Sequence, residues 1–128
     1  MSGGAISYGR EILLKDLQEA GVAPVHTVMP PMLRPPALIV SESSPLLQAS
    51  ETIGGITLTF TVLAVVEATP ADREKELQAL DHLLDDLVSH LWKDYQLTIE
   101  GYRPISLGAG QNYLSTQISI PIDLNIKE

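Results

Sequence analysis

A chain of 128 residues with 45% hydrophobic content can bury one hydrophobic core without metals or disulfides, so we predict a single domain spanning residues 1–128. The sequence contains no cysteine, which excludes a disulfide framework, a thiol nucleophile and cysteine-based zinc or iron–sulfur sites. Its formal net charge of −8 argues against a surface that binds tightly to the phosphates of nucleic acids.

The first third of the chain predicts a helix, a short strand and a stiff connector. The helix ends at Gly21, and its apolar side comprises Ile6, Leu13, Leu14, Leu17 and Ala20. VAPVHTVM (22–29) is a short strand candidate weakened by Pro24. VMPPMLRPPALIV (28–40) then places four prolines before an apolar run. Because proline fixes φ and lacks an N–H donor, we predict an extended connector followed by a buried strand over Pro36–Val40.

The middle third predicts a loop, a long strand and a long helix. SESSPLLQASETIGG (41–55) is polar and rich in turn residues, so it reads as a loop. ITLTFTVLAVV (Ile56–Val66) is the clearest strand, because apolar residues alternate with threonines. The helix covers 69–95, with Thr69 as N-cap and Pro70 at its first position. Its apolar stripe comprises Leu77, Leu80, Leu84, Leu87, Val88 and Leu91.

The last third predicts two strands, QLTIEGYRPISL (96–107) and NYLSTQISIPIDLNI (112–126), joined by a glycine-rich turn. The final strand alternates apolar and polar residues, which indicates one buried and one wet face. Pro121 interrupts it, so this strand should lie at a sheet edge or bend there. The predicted order is α-β-β-β-α-β-β. Its short connections favour an α+β fold, a mainly antiparallel sheet with both amphipathic helices on one face.

Residues suited to catalysis are few. The glycine pairs lack the context of a phosphate-binding loop or a dinucleotide fingerprint, and no nucleophile motif is present. His82, Asp86 and His90 follow one another at four-residue spacing on one face of the long helix and could hold a divalent metal. The alternative, a solvated helix face with local His–Asp pairs, is favoured, because one helix face seldom supplies a whole ligand set. We predict no catalytic residue, no metal site and no cofactor.

Surfaces are therefore the main functional candidates. The proline connector, the Leu46–Leu47 loop and the long final strand carry apolar and edge-strand material, which often contacts partners. The alternative is that the loops fold over the open face of the sheet, and that the aromatic residues only cap the core. The predicted subunit or partner interface comprises Met29, Met32, Leu33, Arg34, Leu46, Leu47, Trp92, Tyr95 and Pro121.

The order of elements, with its ALIV strand, its ITLTFTVLAVV strand and its TPADREKELQALDHLLDDLVSHL helix, resembles tail terminator proteins of long-tailed (siphovirus) bacteriophages, especially those of actinobacteriophages. The resemblance covers nearly the whole chain. It implies a non-enzymatic virion protein, made in the host cytoplasm and located at the tail neck. Such a protein forms a homohexameric ring on the head-proximal end of the tail tube and stops polymerisation of the major tail tube protein. It also joins the tube to the head–tail connector or stopper protein, and DNA passes through its lumen without specific binding.

Other functions remain open at this level. The chain could be a different neck or minor tail protein, a small metal-dependent enzyme using His82, Asp86 and His90, or a dimeric ligand-binding domain suggested by the apolar connector. No segment approaches the ~18 consecutive apolar residues of a membrane span, and the first ten residues lack the features of a signal peptide. We therefore expect a soluble protein that is not secreted and has no membrane partner.

Overall fold

The computed structural model describes residues 4–28, 33–49, 55–68, 71–107 and 111–125. These residues form two helices and six strands. In chain order the elements are α1 (Ala5–Ala20), β1 (Val25–His26), β2 (Ala37–Ala49), β3 (Gly55–Glu67), α2 (Arg73–Leu91), β4 (Thr98–Ile99), β5 (Arg103–Leu107) and β6 (Gln111–Asn125). No helix in this part of the chain is both long and apolar enough to cross a membrane.

The strands form one sheet in the order β1-β2-β3-β6-β4, and β5 also pairs with β6. Every pairing is antiparallel except that of β1 with β2. The prediction of an α+β fold with a mainly antiparallel sheet is therefore confirmed. β6 pairs with β3 along its length, whereas β5 and β4 cover its other side only as far as Ser119. β6 is therefore not the edge strand that Pro121 suggested, because it lies between β3 and β4; among the described residues only its last part, which includes Pro121, has β3 as its single neighbour.

The strand predicted over 96–107 is divided into β4 and β5. Ile99 pairs with Ile118 and Arg103 with Ser115, so four steps along this strand oppose three steps along β6. The extra residue makes a bulge. Within it, the Glu100 backbone is hydrogen-bonded to β6. Its N–H donates to the Gln117 carbonyl at 3.0 Å, and its own carbonyl accepts a hydrogen bond from Thr116 Oγ1 at 2.5 Å.

The loop predicted over 41–55 is wrong for Ser41–Ala49, which continues β2. Glu42 pairs with Phe60 and Leu47 with Leu58, so the pairing register shifts between these two points. Ser43 Oγ lies 2.6 Å from Thr61 Oγ1, within hydrogen-bond distance across the two strands. A polar sequence can thus form a strand here because β3 supplies backbone partners. Ser41 and Ser43 lie beside Thr61 on the open face of the sheet, whereas Glu42 lies opposite Phe60 and forms an ion pair with Arg10 of α1.

The described helix ends carry residues that are typical of helix caps. α1 ends at Gly21, which adopts a left-handed conformation with φ 65°, as predicted. α2 begins later than predicted, at Arg73, and Thr69 and Pro70 lie outside the described residues. Asp72 is its N-cap, and its carboxylate accepts a hydrogen bond from the Lys75 N–H at 3.1 Å.

Both helices cover the same face of the sheet and share one core with it, as predicted. The largest fully buried side chains include Phe60, Leu13, Leu17, Leu58, Leu80, Leu87 and Ile120. Leu83 is also buried, although it was not part of the predicted stripe, whereas Leu77 and Val88 are only half-buried. α1 approaches the sheet most closely at Gly9. A Cβ added there would lie 2.6 Å from the Leu58 Cδ1 atom, so a larger residue at this crossing would force the Leu58 side chain to shift.

The opposite face of the sheet carries a second, smaller core at one end. It comprises the buried residues Leu33, Ala37, Ile39, Val65 and Tyr113. Tyr113 Oη donates a hydrogen bond to the Leu33 carbonyl at 3.4 Å, which attaches the end of the connector to the sheet. The rest of this face is half-exposed and carries polar side chains such as Thr57, Thr59 and Gln117. The helices therefore protect one face fully, and the connector protects part of the other.

Candidate functional site: the flanks of the second helix

Two depressions run along opposite flanks of α2. The first, here called the connector cleft, lies between α2 and the prolines before β2 and has a volume of about 540 Å³. Its apolar walls include Val22, Pro35, Pro36, Val66, Ala79 and Leu83. Its charged lining is mainly acidic, because Glu67, Glu76 and Asp86 face a single lysine, Lys75. Arg73 forms an ion pair with Glu76 at 3.8 Å, so the remaining carboxylates carry most of the negative charge of this lining.

The second depression, here called the edge groove, lies between α2 and the outer strand β4 and has a volume of about 660 Å³. Trp92 and Ile99 line it and are 60% and 38% exposed. Large apolar side chains exposed side by side are typical of a surface that contacts a partner. Lys93 Nζ lies 5.8 Å from the centroid of the Trp92 ring, so a cation accompanies this exposed aromatic side chain.

Tyr102 connects the β4–β5 segment to α2 across the edge groove. Its hydroxyl donates a hydrogen bond to Asp81 Oδ1 at 2.5 Å. Burial, together with this hydrogen bond and the negative charge of Asp81, raises the pKa of Tyr102 to about 12. The contact ties the segment between β4 and β5 to α2.

Because of this hydrogen bond, we expect the unfolding free energy to fall as the pH rises into the alkaline range. The unfolded chain ionises Tyr102 near its ordinary pKa of 10.0, whereas the folded chain keeps the phenol neutral up to about pH 12. Its stabilising contribution is therefore complete below pH 10 and is lost as the pH rises through about 12. We expect Tyr102→Phe to show a shallower loss of unfolding free energy over this window, measured by urea denaturation. In a chain that already carries Asp81→Asn, adding Tyr102→Phe should change the slope of unfolding free energy against pH by less. If Tyr102→Phe alone leaves that slope unchanged, this explanation is wrong.

A second tyrosine joins the two helices. Tyr95 Oη donates a hydrogen bond to the Asp16 carboxylate, and burial with this bond raises the pKa of Tyr95 far above its ordinary value. Tyr95 is half-buried, and it packs against the main core. The Tyr95 hydroxyl is thus engaged by α1 of the same chain, and the predicted interface role of this residue stays a prediction.

The three residues weighed as a possible metal site, although no site was predicted there, do not line a common cleft. His82 and Asp86 line the connector cleft, whereas His90 lines a separate small cleft with Asp16, Glu19 and Asp94. All three of these residues are exposed. Among the residues that the structure describes, no three histidine, aspartate or glutamate side chains are grouped so that they could hold a metal ion.

The other predicted interface residues occupy separate surfaces. Met29 and Met32 lie outside the described residues. Leu33 is 7% exposed and belongs to the second core, so in this structure it packs within its own chain. Leu46 packs against the main core, while its neighbour Leu47 is 44% exposed on β2. Arg34 is exposed, and Pro121 is half-exposed on the open sheet face. Trp92 thus remains the largest accessible apolar residue of the predicted set.

Several residues of these flanks were not among the predicted interface residues. Ile99, Tyr102 and Ala79 belong to them because of the way β4 and the connector pack beside α2. Their positions depend on the register of β6 with β4, which periodicity alone does not provide. No local pattern in the sequence marks Ile99 or Tyr102 as neighbours of Trp92 in space.

Strand addition at this edge is restricted. Within the described residues, no strand pairs with the outer side of β4 or β5. Pro104 lies in β5 and has no N–H, so this edge cannot present a complete row of hydrogen-bond donors to another strand. A partner at this edge would therefore bind mainly through side chains in the edge groove.

Comparison with known proteins adds no family assignment. No protein-family profile matches the chain. No curated protein matches it with significant sequence similarity.

Proposed function

We propose that this chain is a phage tail terminator that forms a ring of six copies on the head-proximal end of a tail tube. The ring stops the addition of further tube subunits and offers its other surface to the head–tail connector or stopper protein. The observation that carries this proposal is the pair of different depressions on opposite flanks of α2, the connector cleft and the edge groove.

Two different flanks favour a ring over a two-fold dimer. A symmetric dimer uses the same surface on both subunits, whereas a ring joins one surface of each subunit to a different surface of the next. In this chain the cleft lies on the connector side of α2 and the groove lies on the β4 side. Contacts between unlike flanks would arrange the sheets side by side around a central axis.

The acidic composition is consistent with a ring through which DNA passes. Each chain has a formal net charge of −8, so six copies carry about −48. A surface of the same sign as the phosphate backbone repels a duplex at short range and so does not hold it. The ring would therefore allow passage of DNA without retaining it.

Tube growth provides the direct test. Purified protein is added to the polymerising tail-tube subunit encoded nearest to it in its genome, and the products are examined by negative-stain electron microscopy. We expect shorter tubes with a ring at one end only, and native mass spectrometry of the isolated caps should give six copies. An unrelated acidic protein of similar net charge serves as the control.

The outcomes separate this proposal from its alternatives. Tubes that grow unchecked in the presence of the protein, with no ring at either end, contradict the proposed function. Binding along the whole tube wall would favour another minor tail protein. Adjacency of the gene to that of a tail-tube subunit would support the terminator independently of any biochemical result.

A further inference from the structure

We infer that the ring is built by inserting Trp92 of one copy into the connector cleft of the next. This inference deepens the proposed function, because it names the contact from which the ring is built. It commits the cleft to one occupant, a second copy of this chain.

The cleft selects its occupant by size and by charge. Its volume of about 540 Å³ lies within the range of cavities that bind compact apolar groups. Its walls are proline rings and aliphatic side chains, which favour an aromatic or aliphatic occupant. Glu67 and Asp86 at its margin favour an occupant that also carries a positive charge. The expected occupant is therefore an apolar side chain with a cation beside it.

Trp92 has both properties. It is 60% exposed, and it is the only tryptophan in the sequence. Lys93 Nζ lies 5.8 Å from the centroid of its ring, so a cation accompanies the aromatic group, in a groove that Asp81 and Asp85 also line. Of the other large exposed apolar residues, only Tyr8 has an aromatic ring, and no cation lies over it among the described contacts. Exposed tryptophans are also enriched among the residues that dominate interface energies.

Trp92 cannot reach the connector cleft of its own chain. Ala79 lines the cleft and Val88 lines the groove beside Trp92, and these two residues are nine positions apart on α2. Nine residues correspond to two and a half helical turns, so their side chains point to opposite sides of the helix. Trp92 can therefore reach a connector cleft only in another copy, and that copy presents its own Trp92 to a third.

The single tryptophan reports its own environment. We expect the Trp92 emission maximum to move to shorter wavelength as protein concentration rises, in parallel with association followed by analytical ultracentrifugation. Association without any emission shift would show that copies meet through another surface and would overturn the inference. A wild-type chain that remains monomeric at every concentration reached, with unshifted emission, would overturn it as well.

Matched variants test each half of the contact. Trp92→Ala should raise the dissociation constant at least about 30-fold, as expected for a residue central to an interface. Tyr8→Ala removes an exposed aromatic residue elsewhere and should have little effect. Ala79→Arg should fill the cleft and weaken association similarly, whereas Gln78→Arg, an exposed neighbour that does not line the cleft, should not. Circular dichroism and the Tm of each variant verify that it remains folded.

Mixing variants tests the head-to-tail arrangement. Trp92→Ala chains retain the cleft and Ala79→Arg chains retain the tryptophan, so an equimolar mixture has one working contact per pair. We expect a 1:1 dimer that does not extend, detected by native mass spectrometry. Lys93→Glu should weaken association, and adding Asp86→Lys to the same chain should restore it. The inference would be overturned if the mixture stayed monomeric. It would also be overturned if the chain carrying both Lys93→Glu and Asp86→Lys associated no better than Lys93→Glu alone.

These results are independent of the tube assay. If tubes are capped by rings in which Trp92 stays exposed to acrylamide quenching, the terminator proposal stands and the contact proposed here is wrong. If the copies associate through Trp92 but tubes grow unchecked, the contact stands and the terminator proposal fails.

Discussion

Replacing Phe60 by alanine is expected to lower the unfolding free energy by about 3–5 kcal/mol. Phe60 is the only phenylalanine and is fully buried in β3. Its ring lies beneath α1, where the Arg10 guanidinium carbon is 5.9 Å from the ring centroid and a Cβ at Gly9 would be 3.8 Å from the Phe60 Cε2 atom. Removing the ring would therefore leave a cavity under the helix. Because small domains are stable by only about 5–15 kcal/mol, much of the protein should unfold under mild denaturant.

Thr59→Ala is the matched control for Phe60→Ala. Thr59 precedes Phe60 in the same strand, but its side chain is on the half-exposed face opposite the helices. Its replacement should cost less than about 1 kcal/mol. Urea denaturation followed by circular dichroism measures both variants. Equal losses for the two variants would be inconsistent with a core confined to the helix-covered side at this position.

Replacing Leu33 by serine is expected to cost about 3 kcal/mol, within the range for truncating a buried leucine. Leu33 is 7% exposed and packs with Ala37, Ile39, Val65 and Tyr113 on the face that the helices do not cover. The substitution removes apolar contacts and places a hydroxyl in an apolar cluster. We expect a lower urea midpoint and faster hydrogen exchange of the β2 amides that lie nearest the connector.

Arg34→Ser provides the control for Leu33→Ser, because Arg34 is the next residue and is exposed. It should change the stability of the monomer by no more than about 0.5 kcal/mol. The opposite pattern, in which Leu33→Ser leaves the stability unchanged but weakens association, would restore the interpretation of Leu33 as part of a docking arm.

The regular elements were largely predictable because each has one buried and one wet side. The alternation of apolar residues in β3 and the spacing of leucines in α2 predict which side of each element is buried, even without knowledge of the elements that pack on it. The second half of β2 was not predictable in this way. Its polar residues resemble a loop, and it becomes a strand because β3 pairs with it at Glu42 and again from Leu47 to Ala49, on either side of a register shift.

The candidate surfaces were predictable only in part. Trp92 could be identified because a large aromatic residue follows directly after the helical stripe. The connector cleft could not, since its walls come from segments as distant in sequence as Val22, Pro36 and Ala79. Likewise, the separation of His82 from His90 depends on how α1 and the connector pack against α2.

By itself, the sequence determined the fold class, the helix-covered face of the sheet and the acidic charge, because these follow from composition and from periods of two and 3.6 residues. Only the tertiary structure decided which apolar residues of the connector and helix ends remain accessible. Leu33 is buried and Trp92 is exposed, although both are large apolar residues outside regular helix or strand. The physical reason is that burial depends on neighbours brought together by strand register and helix packing, and these contacts join residues far apart in the chain.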